Sequence, residues 1–296
     1  MISSRSDLRI SNLSVTEFVN CFSLLVVSGS ISTSYFFGKI YKAQLGISFY
    51  WLLASTIWII YTLDHILDGF KMKDESSSIR HLIHYKYRNT IFPTIAALML
   101  FNAYIAYAFL PSKLLIAGAA LAAIVGVYFI VVHYLKTQNI FLPKEFIVSV
   151  IVACGMVMLP GIAGDMTLSV DAFLMIISMT LVNFTNLLLF SYHDYSNDIR
   201  NGLVSAATQW GLDQTKTAIM YGLSGAFMCF AIWTFFIMSP IKLPISIALL
   251  IMLNILLVIH IQEERFAEGE KYRFWGDFIF MVPGLVWWVF VDKLFF

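Results

Sequence analysis

Charge is scarce in this sequence. Of 296 residues, 12% are Asp, Glu, Lys or Arg and 59% are apolar, whereas a soluble domain carries about 25% charge. So few charges cannot cover a water-exposed surface of this size, and a soluble protein with a single anchor is excluded. The net charge is +1, which gives no basic surface for nucleic acid. Cysteine is nearly absent. Cys21, Cys154 and Cys229 each lie in an apolar run. They have no metal-like spacing and no disulfide framework, so they read as core residues. Proline interrupts the apolar runs visibly only at Pro160-Gly161 and Pro283-Gly284. The polar N-terminus carries no short apolar segment with a small-residue cleavage site, and no cleaved signal peptide is expected. Asn12-Leu13-Ser14 matches a glycosylation sequon, but the topology derived below puts it on the cytoplasmic side, where it is discounted.

Long apolar runs are what the chain does have. A spanning helix needs about 20 mostly apolar residues, and nine runs meet that length. They fall at 16–38, 45–67, 90–110, 113–135, 145–164, 170–192, 215–238, 241–262 and 273–294. The expectation is an all-α, multi-pass membrane bundle, residues 1–296, forming one domain around a central cavity. With the N-terminus inside, fourteen of the 19 basic residues fall on cytoplasmic segments, among them Lys71, Arg80, Lys136, Lys144, Arg200 and Arg273. The positive-inside rule then gives an inside N-terminus and an outside C-terminus.

The remaining charges are not scattered. Asp64 and Asp68 close the second run, and Asp194 and Asp198 close the sixth, 130 positions later. A spacing of four puts each pair on one helix face. Chance gives roughly 0.4 such spacings among 11 aspartates, so one pair would mean little. Two pairs at equivalent ends carry more weight. Both are followed by a long polar loop on the cytoplasmic side, and this pattern suggests two pseudo-repeats, about 16–135 and 145–262, plus a ninth span. Carboxylates at a membrane are costly and usually mark a site. Four together repel strongly unless a cation neutralises them. Magnesium suits oxygen ligands and is commonly shared between carboxylates and phosphates, so the pairs point to metal-bound diphosphate. Arg80, Lys136 and Lys144 are the basic residues placed to meet phosphate oxygens. The plainer role for most cationic residues on that side is topological.

Nine spans with Asp-x-x-x-Asp after the second and sixth resemble the UbiA superfamily of intramembrane prenyltransferases. The run from Asp194 through Gly202, then Ser205-Ala206-Ala207 and Trp210-Gly211, is similar to that family's second motif and its trailing loop. Tyr134-Leu135-Lys136 resembles its lysine after the fourth span. The first motif departs: the family's asparagine four residues before the first aspartate is here Ile60, and the arginine-rich continuation is altered. The chain thus looks like a divergent branch. The resemblance implies that Asp64, Asp68, Asp194 and Asp198 hold magnesium on an isoprenyl diphosphate. It implies transfer of the isoprenyl group to a lipophilic acceptor within the bilayer, with aromatic compounds and quinone precursors among the candidates.

Other polar residues are candidates for the cavity wall. Asn183 and Asn186 lie three apart in the sixth span, and Asn186 shares a face with Asp194. Helix–helix hydrogen bonding is their plainer role. His65 and His193 adjoin motif aspartates and could orient a carboxylate or act as acid or base. Tyr61, Phe184, Phe190 and Tyr192 could face an allylic cation. His81 and His84 have helical metal spacing without an evident third ligand. Asp277 reads as a cap for the last span. Three other readings compete: a membrane terpene cyclase of the same fold, a cation-binding transporter, and a non-catalytic membrane protein. A transporter would place acidic residues near the bilayer midplane, and here they lie at span ends.

Overall fold

The structure is a computed structural model. It describes residues 10, 13–72, 79–133, 143–164, 166–167, 169–236 and 242–292, and among these the chain is helical with no strand. Helices α1 (Val15–Cys21) and α2 (Leu24–Ile40) form the first run. They are bent by 68° at the Phe22-Ser23 break, where Ser23 adopts a left-handed conformation. Six of the other runs are uninterrupted spanning helices. These are α3 (Ile47–Met72), α5 (Arg88–Phe109), α6 (Ser112–His133), α9 (Val170–Asn201), α11 (Leu212–Phe235) and α12 (Lys242–Ile261). The fifth run is α7 (Lys144–Ala153) continued through a π turn into α8 (Leu159–Ala163).

Against the nine spans expected, seven helices among the described residues are long and apolar enough to cross a membrane, or eight with the bent α1–α2 pair. The ninth run is split into α14 (Lys271–Phe278), a 3-10 turn at Ile279–Met281, α15 (Val282–Trp287) and a π turn. The irregular turn lies just before Pro283, as the π turn Cys154–Met158 lies before Pro160. A proline ring cannot donate to the preceding turn and clashes with its carbonyl, so the helix rewinds there. Helix α2 packs along both breaks. Its Thr33 and Ser32 hydroxyls donate to the Phe280 and Met281 carbonyls at 2.6 and 2.8 Å. The backbone is thereby satisfied where lipid could not do so. Gly29 and Gly284 permit the approach, since a Cβ on either would run into Phe280 or Ser32.

Packing is uneven. One large core joins α2, α7, α9, α11, α12 and α15 around Trp233, Leu188, Met252 and Leu256, all fully buried. Only Ile59, Ile66 and Ile95 form a core between α3 and α5. The apolar stretches of α5 and α6 are just 6% buried within the protein, against 50% for α9 and α12. Hydrophobic residues left on the outside of a span face lipid, so α5 and α6 form the lipid-facing flank. Helix α5 leans on α3, where Ser55 donates to Asn102 Oδ1 at 3.0 Å, and α6 leans on α8.

The two polar loops after the motif helices both contain short helices. α4 (Ile79–Lys86) follows the first motif and α10 (Ala206–Trp210) the second. A further short helix, α13 (Glu263–Ala267), leads into α14.

Candidate active site

Both motifs lie inside their helices, not at the ends. Helix α9 runs nine residues past its apolar run and stops at Gly202, a left-handed residue whose N–H bonds back to Ile199. Asp198 accepts a hydrogen bond from Ser205. The same serine caps α10 through the Thr208 N–H. Ala206 and Ala207 are completely buried because the start of α10 is docked. The Ala206 N–H donates to Glu145 Oε1 at 2.9 Å and the Ala207 N–H to Ser191 Oγ at 2.8 Å. Larger side chains at 206 and 207 would break this approach, which gives the trailing Ser-Ala-Ala sequence a physical reason.

On the other side, Asp68 is buried and Asp64 half-buried on α3. Lys144, at the start of α7, lies within electrostatic reach of Asp64, Asp68, Tyr128 and Glu145, and Asp198 in turn feels Lys144. Tyr61 lies within electrostatic reach of Asp64 and Asp277. The expected phosphate-binding Arg80 projects from α4, with Nη2 3.9 Å from Asp194 Oδ2. The loop that follows the first motif thus reaches the second motif. Lys136 lies outside the described residues.

The last segment supplies what sequence reading missed. Tyr272 donates its hydroxyl to Asp194 Oδ1 at 2.6 Å, and Arg273 Nη2 donates to Asp194 Oδ2. His193 stacks flat on Tyr272 at 4.4 Å, backing that phenol without entering the site. Asn183 and Asn186 are buried, with Asn183 Nδ2 and Asn186 Oδ1 lacking a hydrogen bond among the described residues. Asn186 and Phe190 touch α14 so closely that a Cβ on Gly276 would collide with both. Asp277 lies within α14, in electrostatic reach of Arg273 and Arg80, and does not cap the segment.

Two tyrosine and histidine candidates point elsewhere. Tyr192 hydrogen-bonds Glu263 and lies 5.9 Å from Lys216, at the α11–α13 corner. His65 faces α1 and α4. Its Nε2 is 3.3 Å from Ser23 Oγ, and its ring lies 5.5 and 5.1 Å from those of His81 and His84. Burial first, and then the Arg80 guanidinium, hold the His81 imidazole well below the usual histidine range. Burial likewise lowers His84, partly offset by its hydrogen bond to the Arg80 carbonyl.

Among the described residues, no three His, Cys, Asp or Glu side chains converge tightly enough to hold one ion. Magnesium is commonly bound through one or two protein carboxylates, with water and phosphate completing the octahedron. The carboxylates of Asp64, Asp68 and Asp198 fit that mode. Asp194 accepts a hydrogen bond at each oxygen, from Tyr272 at Oδ1 and from Arg273 at Oδ2.

Two solved structures superpose on this arrangement over nearly its whole length. The apo structure of a UbiA homolog from Aeropyrum pernix K1 matches with a TM-score of 0.65 at 13% identity, covering 90% of this chain and 98% of that one. This chain has the UbiA fold. A digeranylgeranylglyceryl phosphate synthase also matches, with a TM-score of 0.54 at 13% identity, covering 92% of this chain and 97% of that one. No family model matches the sequence. Nor does any curated protein sequence. The UbiA likeness is thus carried by shape and by the two motifs.

Proposed function

We propose that the protein is a magnesium-dependent intramembrane prenyltransferase, moving an isoprenyl group from its diphosphate to a lipophilic acceptor, of which an aromatic quinone precursor is one candidate. The observation that supports it is that Lys144 lies within electrostatic reach of Asp64, Asp68 and Asp198, while Arg80 reaches Asp194, inside a UbiA fold. The site would open to the cytoplasmic side, where most basic residues lie. The matched motif helices α3 and α9 are consistent with two pseudo-repeats.

In the reaction, the allylic carbon–oxygen bond breaks and its electron pair leaves with the diphosphate. A nucleophile on the acceptor then bonds to the carbocation and releases a proton. Bound magnesium, held by Asp64, Asp68 and Asp198, would supply charge to the leaving diphosphate. Lys144 and Arg80 add fixed positive charge to the same oxygens. Tyr61 and Tyr128 lie within electrostatic reach of the acidic residues, and their rings would stabilise a cation formed there. The lipid-facing α5–α6 flank keeps bulk water from the apolar side of the reaction.

The test is diphosphate release by purified protein offered prenyl diphosphates of several lengths, magnesium and a broad acceptor panel. Release is expected with magnesium and lost at least a hundredfold in Asp68→Asn, the loss being that of electrostatic stabilisation at a buried site. No release with any donor would sink the proposal. Product analysis without an added acceptor separates transfer from cyclisation of the donor on itself.

A further inference from the structure

The second acidic pair is not used symmetrically. Asp198 bonds a serine and lies near Lys144, whereas each oxygen of Asp194 accepts from a donor on α14. We propose that Arg273 is a diphosphate-binding residue, and that Asp194 and Tyr272 act on the ligand by positioning this guanidinium, not by coordinating metal. The inference rests on the diphosphate reading above and assigns its anion-binding half.

The argument begins with Asp194 itself. It is 7% exposed, and its oxygens accept from a phenol and a guanidinium. Withdrawing those donors would leave a buried charge unpaired, a severe penalty. A metal ion approaching Asp194 must therefore share the carboxylate with the Arg273 guanidinium, whose positive charge opposes it.

The guanidinium has unused capacity. Arg273 carries five N–H donors in a rigid fork that matches phosphate oxygens. Its Nε is buried and makes no hydrogen bond among the described residues, the Glu270 carboxylate standing off at 3.8 Å. Arg80 Nε is likewise buried and without a hydrogen bond among the described residues. Two guanidiniums thus meet at one carboxylate with donors to spare. An anion with several oxygens answers that deficit.

The surroundings hold Arg273 in place. Its guanidinium lies over the Phe190 ring at 5.1 Å, and Tyr272 is clamped by the His193 stack. Gly276, one turn further on, lets α14 sit directly on Asn186 and Phe190. A side chain fixed on three sides loses little freedom on binding, which is how preorganisation raises affinity.

The test uses full-length protein in nanodiscs with inorganic pyrophosphate as probe. Pyrophosphate affinity is measured at fixed magnesium, and the magnesium midpoint at fixed pyrophosphate. Arg273→Gln should weaken pyrophosphate roughly tenfold to a hundredfold, the value of charge-assisted hydrogen bonds, and leave the magnesium midpoint within about twofold. Asp194→Asn should do the same, and the double variant should be no weaker than Arg273→Gln alone, because both act through one guanidinium. Arg273→Lys should recover part of the affinity, supplying charge without the fork. If a change at Arg273 destabilises the fold, Tyr272→Phe still tests the positioning role and should weaken pyrophosphate severalfold. An Asp194→Asn variant with a raised magnesium midpoint, beside an unaltered Arg273→Gln, would overturn the inference. Wild-type protein that binds no pyrophosphate overturns this and the prenyltransferase reading together. Binding abolished by Asp68→Asn but untouched at Arg273 overturns this one alone.

Discussion

At the scale of single residues, the candidate aspartates and most of their basic neighbours were legible in the sequence, and Arg273 was not. Asp64, Asp68, Asp194 and Asp198 announce themselves because carboxylates in apolar runs are rare and the spacing repeats. Lys144 and Arg80 follow from proximity in sequence to loops on the motif side. Arg273 and Glu145 gave no local signal, since their partners lie 79 and 61 positions away. Only the fold creates those pairs. Glu145 yields a clear prediction. Its carboxylate is 5% exposed and receives the Ala206 N–H, with Oε2 making no hydrogen bond. Glu145→Ala should leave that N–H unsatisfied and cost about 1–3 kcal/mol, loosening α10. Limited proteolysis between Gly202 and Gly211 should accelerate while the remainder of the chain stays resistant. An unchanged cleavage rate would show that α10 is held by other contacts.

At the scale of elements, span positions were legible because hydropathy is an averaged property that tolerates local error. Helix irregularities were less so, since a proline marks a break without saying how the chain rewinds through it. The spacing of Asp194 and Asp198 already implied a helix past the apolar run, and Gly202 is the stop signal that ends it. Two elements carry predictions. Gly276 exists for close approach, so Gly276→Ala should push α14 off α9, lower the thermal midpoint by several degrees and weaken pyrophosphate binding. Gly118→Ala in α6 meets nothing within 4 Å, and should be neutral or stabilising by about 0.5–1 kcal/mol, the helix-propensity gain of alanine. Equal effects at both would contradict the packing described. For α4, His81 and His84 are held below the usual histidine range by burial. They are packed beside His65 and Phe22, with Arg80 and Asp64 the charges nearest. Histidines freed from that packing titrate near pH 6.5. The undocked form gains protons as pH falls below that value and the docked form does not. Docking of α4 is thus strongest above about pH 6.5 and lost progressively below it. Hydrogen exchange over residues 79–86 should be faster at pH 5.5 than at 7.5, after correction for intrinsic rates. His84→Gln, which cannot titrate, should reduce the difference; equal protection at both pH values would remove the account.

At the scale of the molecule, the site lies across a division in packing density. Asp64 and Asp68 belong to α3, which together with α5 has only a small isoleucine core. Asp194, Asp198 and Arg273 belong to the dense bundle around Trp233 and Met252. Hydropathy could not show this division, because a lipid-facing helix and a core helix are equally apolar and differ only in what covers them. Its consequence is asymmetric. Local opening draws on regions with few buried contacts, so in the ligand-free protein α3, α4 and α5 should exchange amide hydrogens faster than α11 and α12. A diphosphate bridging Asp64 and Asp68 to Arg273 ties the sparse part to the dense part and stabilises it by mass action. Magnesium with pyrophosphate should therefore slow exchange chiefly along residues 59–86 and leave 245–259, already held by the main core, nearly unchanged. Magnesium alone should produce less of this effect, because the bridge needs phosphate oxygens to reach the guanidiniums. Protection gained uniformly, or gained only in the dense bundle, would mean that ligand does not join the two parts and that the acidic pairs serve separate ends.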